Sequence, residues 1–186
     1  WALAKVNREA GITRLTRFAN DAALDDTARV RASWALAKVD RLREAAIGRL
    51  TLLVNDTTLD DTARVDAAWA LAKVNREAGI TRLTRFANDA ALDDTARVRA
   101  ADALAKVDRE AGIAWLTQLA NDTDLGGIAR VWAAEALAEV DREAGIIEFT
   151  HLADDLTLSD FARTRAVRAL AKLLGGRNKP CKDAAN

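Results

Sequence analysis

The chain reads as an all-α fold, an α-solenoid in which antiparallel helix pairs stack into a superhelix. Three observations predict this. The text repeats with a period of 33 residues, and residues 1–32 recur unchanged at 69–100. A fixed period of this size marks one supersecondary unit stacked on the next. Within each period the apolar residues fall at helical spacing, with no strand-like alternation. Between them lie short stretches of turn and cap chemistry.

Copies begin at Trp1, Trp34, Trp69, Asp102, Glu135 and Arg168. The unit Asp108–Val140 shows how each is built. Asp108 can cap a first helix, with Glu110 in its first turn. Ile113, Leu116, Leu119 and Ala120 then make one apolar face. Asn121-Asp122-Thr123-Asp124 breaks the pattern as a turn. A second helix follows, apolar on two faces and rich in alanine, as expected of a helix packed on both sides. A double Asp precedes this helix in three units (Asp25-Asp26, Asp60-Asp61, Asp93-Asp94), but Gly126-Gly127 stands there in this one. Its start is therefore expected to be weaker.

The expected array covers residues 1–174. It opens with a truncated helix at 1–6, followed by helix pairs at 7–39, 40–74, 75–107, 108–140 and 141–174, about eleven helices in all. The pairs start near Asn7, Asp40, Asn75, Asp108 and Asp141. Residues 175–186 (GGRNKPCKDAAN) leave the pattern as a C-terminal tail with the only proline. The second unit is two residues longer at Val39–Ala46, which predicts a local change of curvature. The chain opens partway through a repeat, and so reads as a fragment of a longer protein, its C-terminal end.

Charge is balanced, with 28 Lys plus Arg against 28 Asp plus Glu, which disfavours a generally basic nucleic-acid binder. No apolar run approaches the roughly 20 residues needed to span a bilayer. The single cysteine, Cys181, cannot form an internal disulfide, which suits a reducing, cytoplasmic setting.

These units resemble HEAT-type repeats, in particular the short bacterial kind of phycobilisome-lyase-like proteins. Asp108-Arg109-Glu110-Ala111 through Leu116, Leu119 and Asp122 match the family's first helix and turn. Ala129-Arg130, Ala133 and Ala136-Leu137 match its second helix. The turn is about two residues longer than the family's usual short form, and the family's helix proline is missing. The "LDDTARVRA" dialect also resembles repeat tails of bacterial NACHT-type signalling ATPases. The resemblance implies a fold and says little of function. It also implies that the second helices line a concave surface.

Aligned copies separate two kinds of column. The turn Asp (Asp21, Asp56, Asp89, Asp122, Asp155) and the second-helix Arg (Arg29, Arg64, Arg97, Arg130, Arg163) never change. They are expected to form a structural ladder that fixes the stacking register. A second Arg column, at the junction between pairs, holds Arg8, Arg41, Arg76, Arg109 and Arg142. By contrast, every Trp stands in a column that holds charges elsewhere. Trp1, Trp34 and Trp69 align with Asp102, Glu135 and Arg168, and Trp132 aligns with Arg31, Asp66, Arg99 and Arg165. Columns so mixed belong at the surface or rim.

The expected binding surface is the second-helix face carrying Trp1, Trp34, Trp69, Trp132, Arg31, Lys38, Arg99 and Lys106. Trp and Arg are enriched at binding hot spots. The competing reading folds these indoles onto neighbouring side chains as half-buried packing. The expected partner is a protein or peptide bound by a non-enzymatic scaffold or sensor. End-to-end self-association through the N-terminal edge is the alternative. Stacking of single-stranded nucleic acid is a third reading, opposed by Asp66, Asp102, Glu135 and Glu139. One His and one Cys make no usual zinc site, and no phosphate-binding glycine loop occurs. Catalytic residues, metal and cofactor are therefore all expected to be none.

Overall fold

The computed structural model describes residues 2–39 and 42–175, with side chains from Glu9 onward. No strand occurs among these residues. Ten helices do: α1 Ala2–Asn20, α2 Asp26–Ala37, α3 Arg43–Asn55, α4 Asp61–Ala72, α5 Arg76–Asn88, α6 Asp94–Ala105, α7 Arg109–Asn121, α8 Gly127–Val140, α9 Arg142–Asp154 and α10 Asp160–Gly175. They fall into two units, Trp1–Asp108 and Arg109–Asn186. In the first, each helix packs on its sequence neighbour, and α2, α4 and α6 also touch in series. In the second, α7 to α10 pack in the same way, with α8 against α10.

The turns inside each pair are built alike. The turn Asp accepts a hydrogen bond from the amide two residues on: Asp21 from Ala23, Asp56 from Thr58, Asp89 from Ala91, Asp122 from Asp124, Asp155 from Thr157. This Asx turn satisfies an amide of the loop that links the two helices. A leucine three residues after each Asp then seals the corner, as Leu59 and Leu125 do, both buried. Asp25, Asp60 and Asp93 cap α2, α4 and α6 by accepting from Ala28, Ala63 and Ala96. Gly126 gives α8 no side-chain cap.

The core is a row of leucines and alanines between the helices of each unit. Leu50, Leu83, Leu104, Leu116 and Leu137 are fully buried. Alanines such as Ala67, Ala68, Ala100 and Ala134 let neighbouring helices approach closely. A Cβ on Gly79 would collide with the backbone of Ala72, and one on Gly145 would collide with Ala138. At these two sites glycine is required by close packing between one pair's second helix and the next pair's first.

One expectation needs correction, and another lies outside the described residues. Asn7 does not open a second helix, because residues 2–20 form one continuous helix and the described helices number ten. The same text at 69–88 does break, with α4 ending at Ala72 and Asn75 in extended backbone capping α5. There, α4 is held by α2, α5 and α6. Asp40 and Arg41, together with any curvature change centred on them, lie outside the described residues, as do Trp1 and the tail 176–186. The helix α3 starts at Arg43, after Leu42, which makes no side-chain cap.

Candidate recognition surface on the second helices

The fixed arginines act inside their own hairpins first. Arg64, Arg97 and Arg130 donate through Nε to the carbonyls of Val54, Ala87 and Ala120, the last turns of α3, α5 and α7. A positive group at a helix C-terminus also suits the helix dipole. In α2, α4 and α10 the same arginine pairs with the helix-start Asp, as Arg29–Asp26, Arg64–Asp61 and Arg163–Asp160. In α8, where Gly127 replaces that Asp, Arg130 bonds Asp155 of the next turn at 2.9 Å. The Arg29 charge likewise acts on Asp56 of the next turn.

Asp56 and Asp155 are held below the ordinary carboxyl range. The side-chain hydrogen bond from Thr58 or Thr157 is the main cause, followed by the Thr backbone amide. Arginine charge adds to this in both cases.

Sequence alignment misplaced one arginine. Arg43, Arg76 and Arg109 donate to the carbonyls of Val74, Val107 and Val140, at 2.8, 2.6 and 2.6 Å, and Arg142 donates to Leu173. Each bond joins the start of a first helix to the end of its partner, closing an antiparallel hairpin. Arg43 therefore occupies the place expected of Arg41. Both align with a one-letter match, and only the spacing of 31 residues to the accepting carbonyl tells them apart.

A further coupling between pairs was not expected from the sequence. Arg82 donates to Asn55 Oδ1 at 2.9 Å, and Asn121 donates to Glu148 at 2.8 Å in the same register, 27 residues apart. An amide side chain can serve either sign of partner, because it both donates and accepts. That explains how a column with Arg in three units takes a buried Glu148. The only histidine stands beside it, His151 Nδ1 at 3.6 Å from Glu148.

On the second helices the variable columns come together. In the first unit a cavity of about 250 Å³ is lined by Arg31, Trp34, Asp66, Trp69 and Arg99. A neighbouring one of about 330 Å³ shares Asp66, Trp69 and Arg99 and adds Asp102 and Lys106. Trp34 and Trp69 are half-buried. Lys38 lies over the Trp34 ring at 3.8 Å and Lys73 over Trp69 at 5.0 Å, each one turn along its own helix. Trp69 Nε1 is shielded from solvent and has no hydrogen-bond partner among the described residues. Arg99 bonds Asp66 at 2.6 Å and Lys106 bonds Asp102 at 2.8 Å. Exposed Arg31 makes no ion pair to a described residue.

No protein-family model matches this chain, and no curated protein or solved structure matches it either.

In the second unit the same face carries fewer aromatic groups. Trp132 is half-buried on α8. Glu135 takes a bidentate bond from Arg165, at 2.9 and 2.8 Å, which raises the arginine's affinity for its proton. That pair edges a cavity of about 450 Å³ with Glu139, Arg168 and Lys172. The structure thus gathers Arg31, Trp34, Trp69, Arg99 and Lys106 along the two first-unit cavities, with Lys38 at their edge on Trp34. Trp132 belongs to the other unit. Among the described residues, no cluster of three or more His, Cys, Asp or Glu could hold a metal ion, and no helix is long and apolar enough to cross a membrane.

Proposed function

We propose that this chain is a HEAT-type, non-enzymatic interaction module of the cytoplasm, and that the α2–α4–α6 face binds a protein or peptide. The observation that carries the reading is the content of the first-unit cavities. Two half-covered indoles stand beside an Arg31 and a Trp69 Nε1–H that have no partner among the described residues. A bound segment with a carboxylate and an apolar neighbour would suit all three: carboxylate to Arg31, apolar group to the free side of Trp34, acceptor to Trp69 Nε1. Placing an acceptor on a shielded donor recovers a hydrogen bond otherwise forgone. The fixed Asp and Arg columns support a binding rather than a catalytic role, since each already has a turn or capping partner.

The test is selection from a random peptide display library on the intact chain, with the double variant Trp34→Ala, Arg31→Glu as counter-target. Acidic peptides that bind the chain and lose about tenfold or more on the variant would support the groove. Peptides that bind both proteins equally, or no enrichment, would reject it.

A further inference from the structure

We propose that the cavity between α4 and α6 is a subsite for a carboxamide, the side chain of an asparagine or glutamine on the partner. This rests on the reading above for its partner, but it uses neither Arg31 nor Trp34, so the two can fail separately.

The observation is a cavity rich in charged groups that carries no net charge. It measures about 330 Å³ and is lined by Arg99 and Lys106 against Asp66 and Asp102, two cations to two carboxylates. The first cavity differs. There Arg31 and Arg99 stand against Asp66 alone, a balance of one positive charge, which suits an acid. An ionised group of either sign entering the second cavity would upset an even balance and meet a like charge.

Both ion pairs keep capacity to spare. Arg99 bonds Asp66 at 2.6 Å, and Lys106 bonds Asp102 at 2.8 Å. A guanidinium, an ammonium and a carboxylate each make several hydrogen bonds. Trp69 adds a further donor, because its Nε1–H is shielded from solvent and has no partner among the described residues. The cavity thus offers donors and acceptors side by side with both ion pairs intact. A carboxamide is the uncharged side chain that matches, since its oxygen accepts while its NH2 donates. Bonds to Arg99, Lys106, Asp66 or Asp102 have a charged partner, which makes them stronger than bonds between neutral groups. The chain uses the same chemistry between its own helices, where Asn55 accepts from Arg82 and Asn121 donates to Glu148.

One column distinguishes the two cavities. Trp34 and Trp69 are followed by Asp102 at the same place in the next repeat. The second cavity therefore has one indole where the first has two, and a carboxylate tied to Lys106 in place of the other. Packed helices lie about 8–10 Å apart, and an extended chain advances about 3.3 Å per residue. A segment with its acid in the first cavity would carry its amide about three residues away.

The experiment is heteronuclear NMR of the intact chain, following the indole N–H of Trp69, assigned by its loss in Trp69→Phe. The probes are N-acetyl-glutamine methylamide and its glutamate, lysine and leucine counterparts. The glutamine probe should move the Trp69 signal saturably and bind about threefold or more tighter than the others. Asp102→Asn leaves one positive charge in the cavity and should turn the preference to glutamate. Lys106→Gln leaves one negative charge and should turn it to lysine. Asp102 is half-buried and Lys106 exposed, and circular dichroism checks each variant. Arg31→Glu should leave the glutamine probe unaffected while it weakens the acidic peptides of the preceding test, which separates the two readings. No saturable movement of Trp69 would overturn the subsite. So would an equal response to all four probes, or a preference unmoved by both charge variants.

Discussion

Arg99 and Asp66 stand 33 residues apart, one repeat, and form an ion pair of 2.6 Å across neighbouring second helices. Both occupy the column that holds Trp132 in another unit. Both side chains are partly exposed, so the pair adds at most about 1 kcal/mol. Asp66→Asn should therefore leave the unfolding midpoint nearly unchanged. It should tighten binding of an acidic peptide several-fold, because Arg99 and Arg31 then share one cavity without a competing carboxylate. Calorimetric titration of a selected peptide into both proteins checks this. Equal or weaker binding to Asp66→Asn would contradict it.

Identical text should respond oppositely to one substitution. Gly79→Ala forces a methyl into the backbone of Ala72, and overpacking of this kind costs about 1–3 kcal/mol. Gly11→Ala meets open space and gains helix propensity, a stabilisation of up to about 1 kcal/mol in dilute solution. Urea unfolding of the two variants decides this, and equal shifts would contradict the packing account.

The start of α8 can be improved. Asp25, Asp60 and Asp93 cap their helices, while Gly126 supplies no side-chain acceptor. Gly126→Asp is expected to stabilise by a few tenths of a kcal/mol to about 1 kcal/mol, through the cap and the helix dipole. Thermal unfolding at fixed ionic strength reads the change. Gly127 should stay, since a Cβ there would lie 2.7 Å from Leu158.

Acid should loosen the turns at Asp56 and Asp155. Their carboxyls are held below the ordinary 3.8, chiefly by the hydroxyls of Thr58 and Thr157. A group with a depressed folded value contributes stability above its unfolded value and loses it as pH falls through the folded one. The loss therefore sets in below about 3.8. Thr58→Val with Thr157→Val should flatten this acid limb while leaving hydroxyl-independent Asx turns in place. Urea midpoints measured against pH, with an unchanged acid limb in the variant, would count against the hydroxyls as the cause.

Period and apolar spacing were enough to read helices, turns and caps, because those depend on residues close in the chain. The Asx turn at Asp122 and the cap at Asp60 needed only local chemistry. What could not be read depends on neighbours distant in sequence. Asn7 and Asn75 sit in the same words, yet one lies within a helix and the other caps α5 after a break that is set by the packing of α4 on α2, α3, α5 and α6. Arg41 and Arg43 fit the column equally well as letters, and the carbonyl of Val74 selects Arg43. The mixed Trp columns were legible as rim positions by their charges. The lysines over Trp34 and Trp69 follow from i, i+4 spacing, but the meeting of Arg31, Asp66 and Arg99 in one cavity needed the stacked helices.

The separation of scaffold columns from recognition columns rests most directly on Trp34 and Trp69. Leu104→Ala, a fully buried residue in an unchanging column, should cost about 2–5 kcal/mol in urea unfolding. The double variant Trp34→Ala, Trp69→Ala should keep the full helical circular dichroism, lose less stability than Leu104→Ala, and abolish binding of the display-selected acidic peptide. A double variant that unfolds as far as Leu104→Ala, or keeps its peptide affinity, would contradict the account.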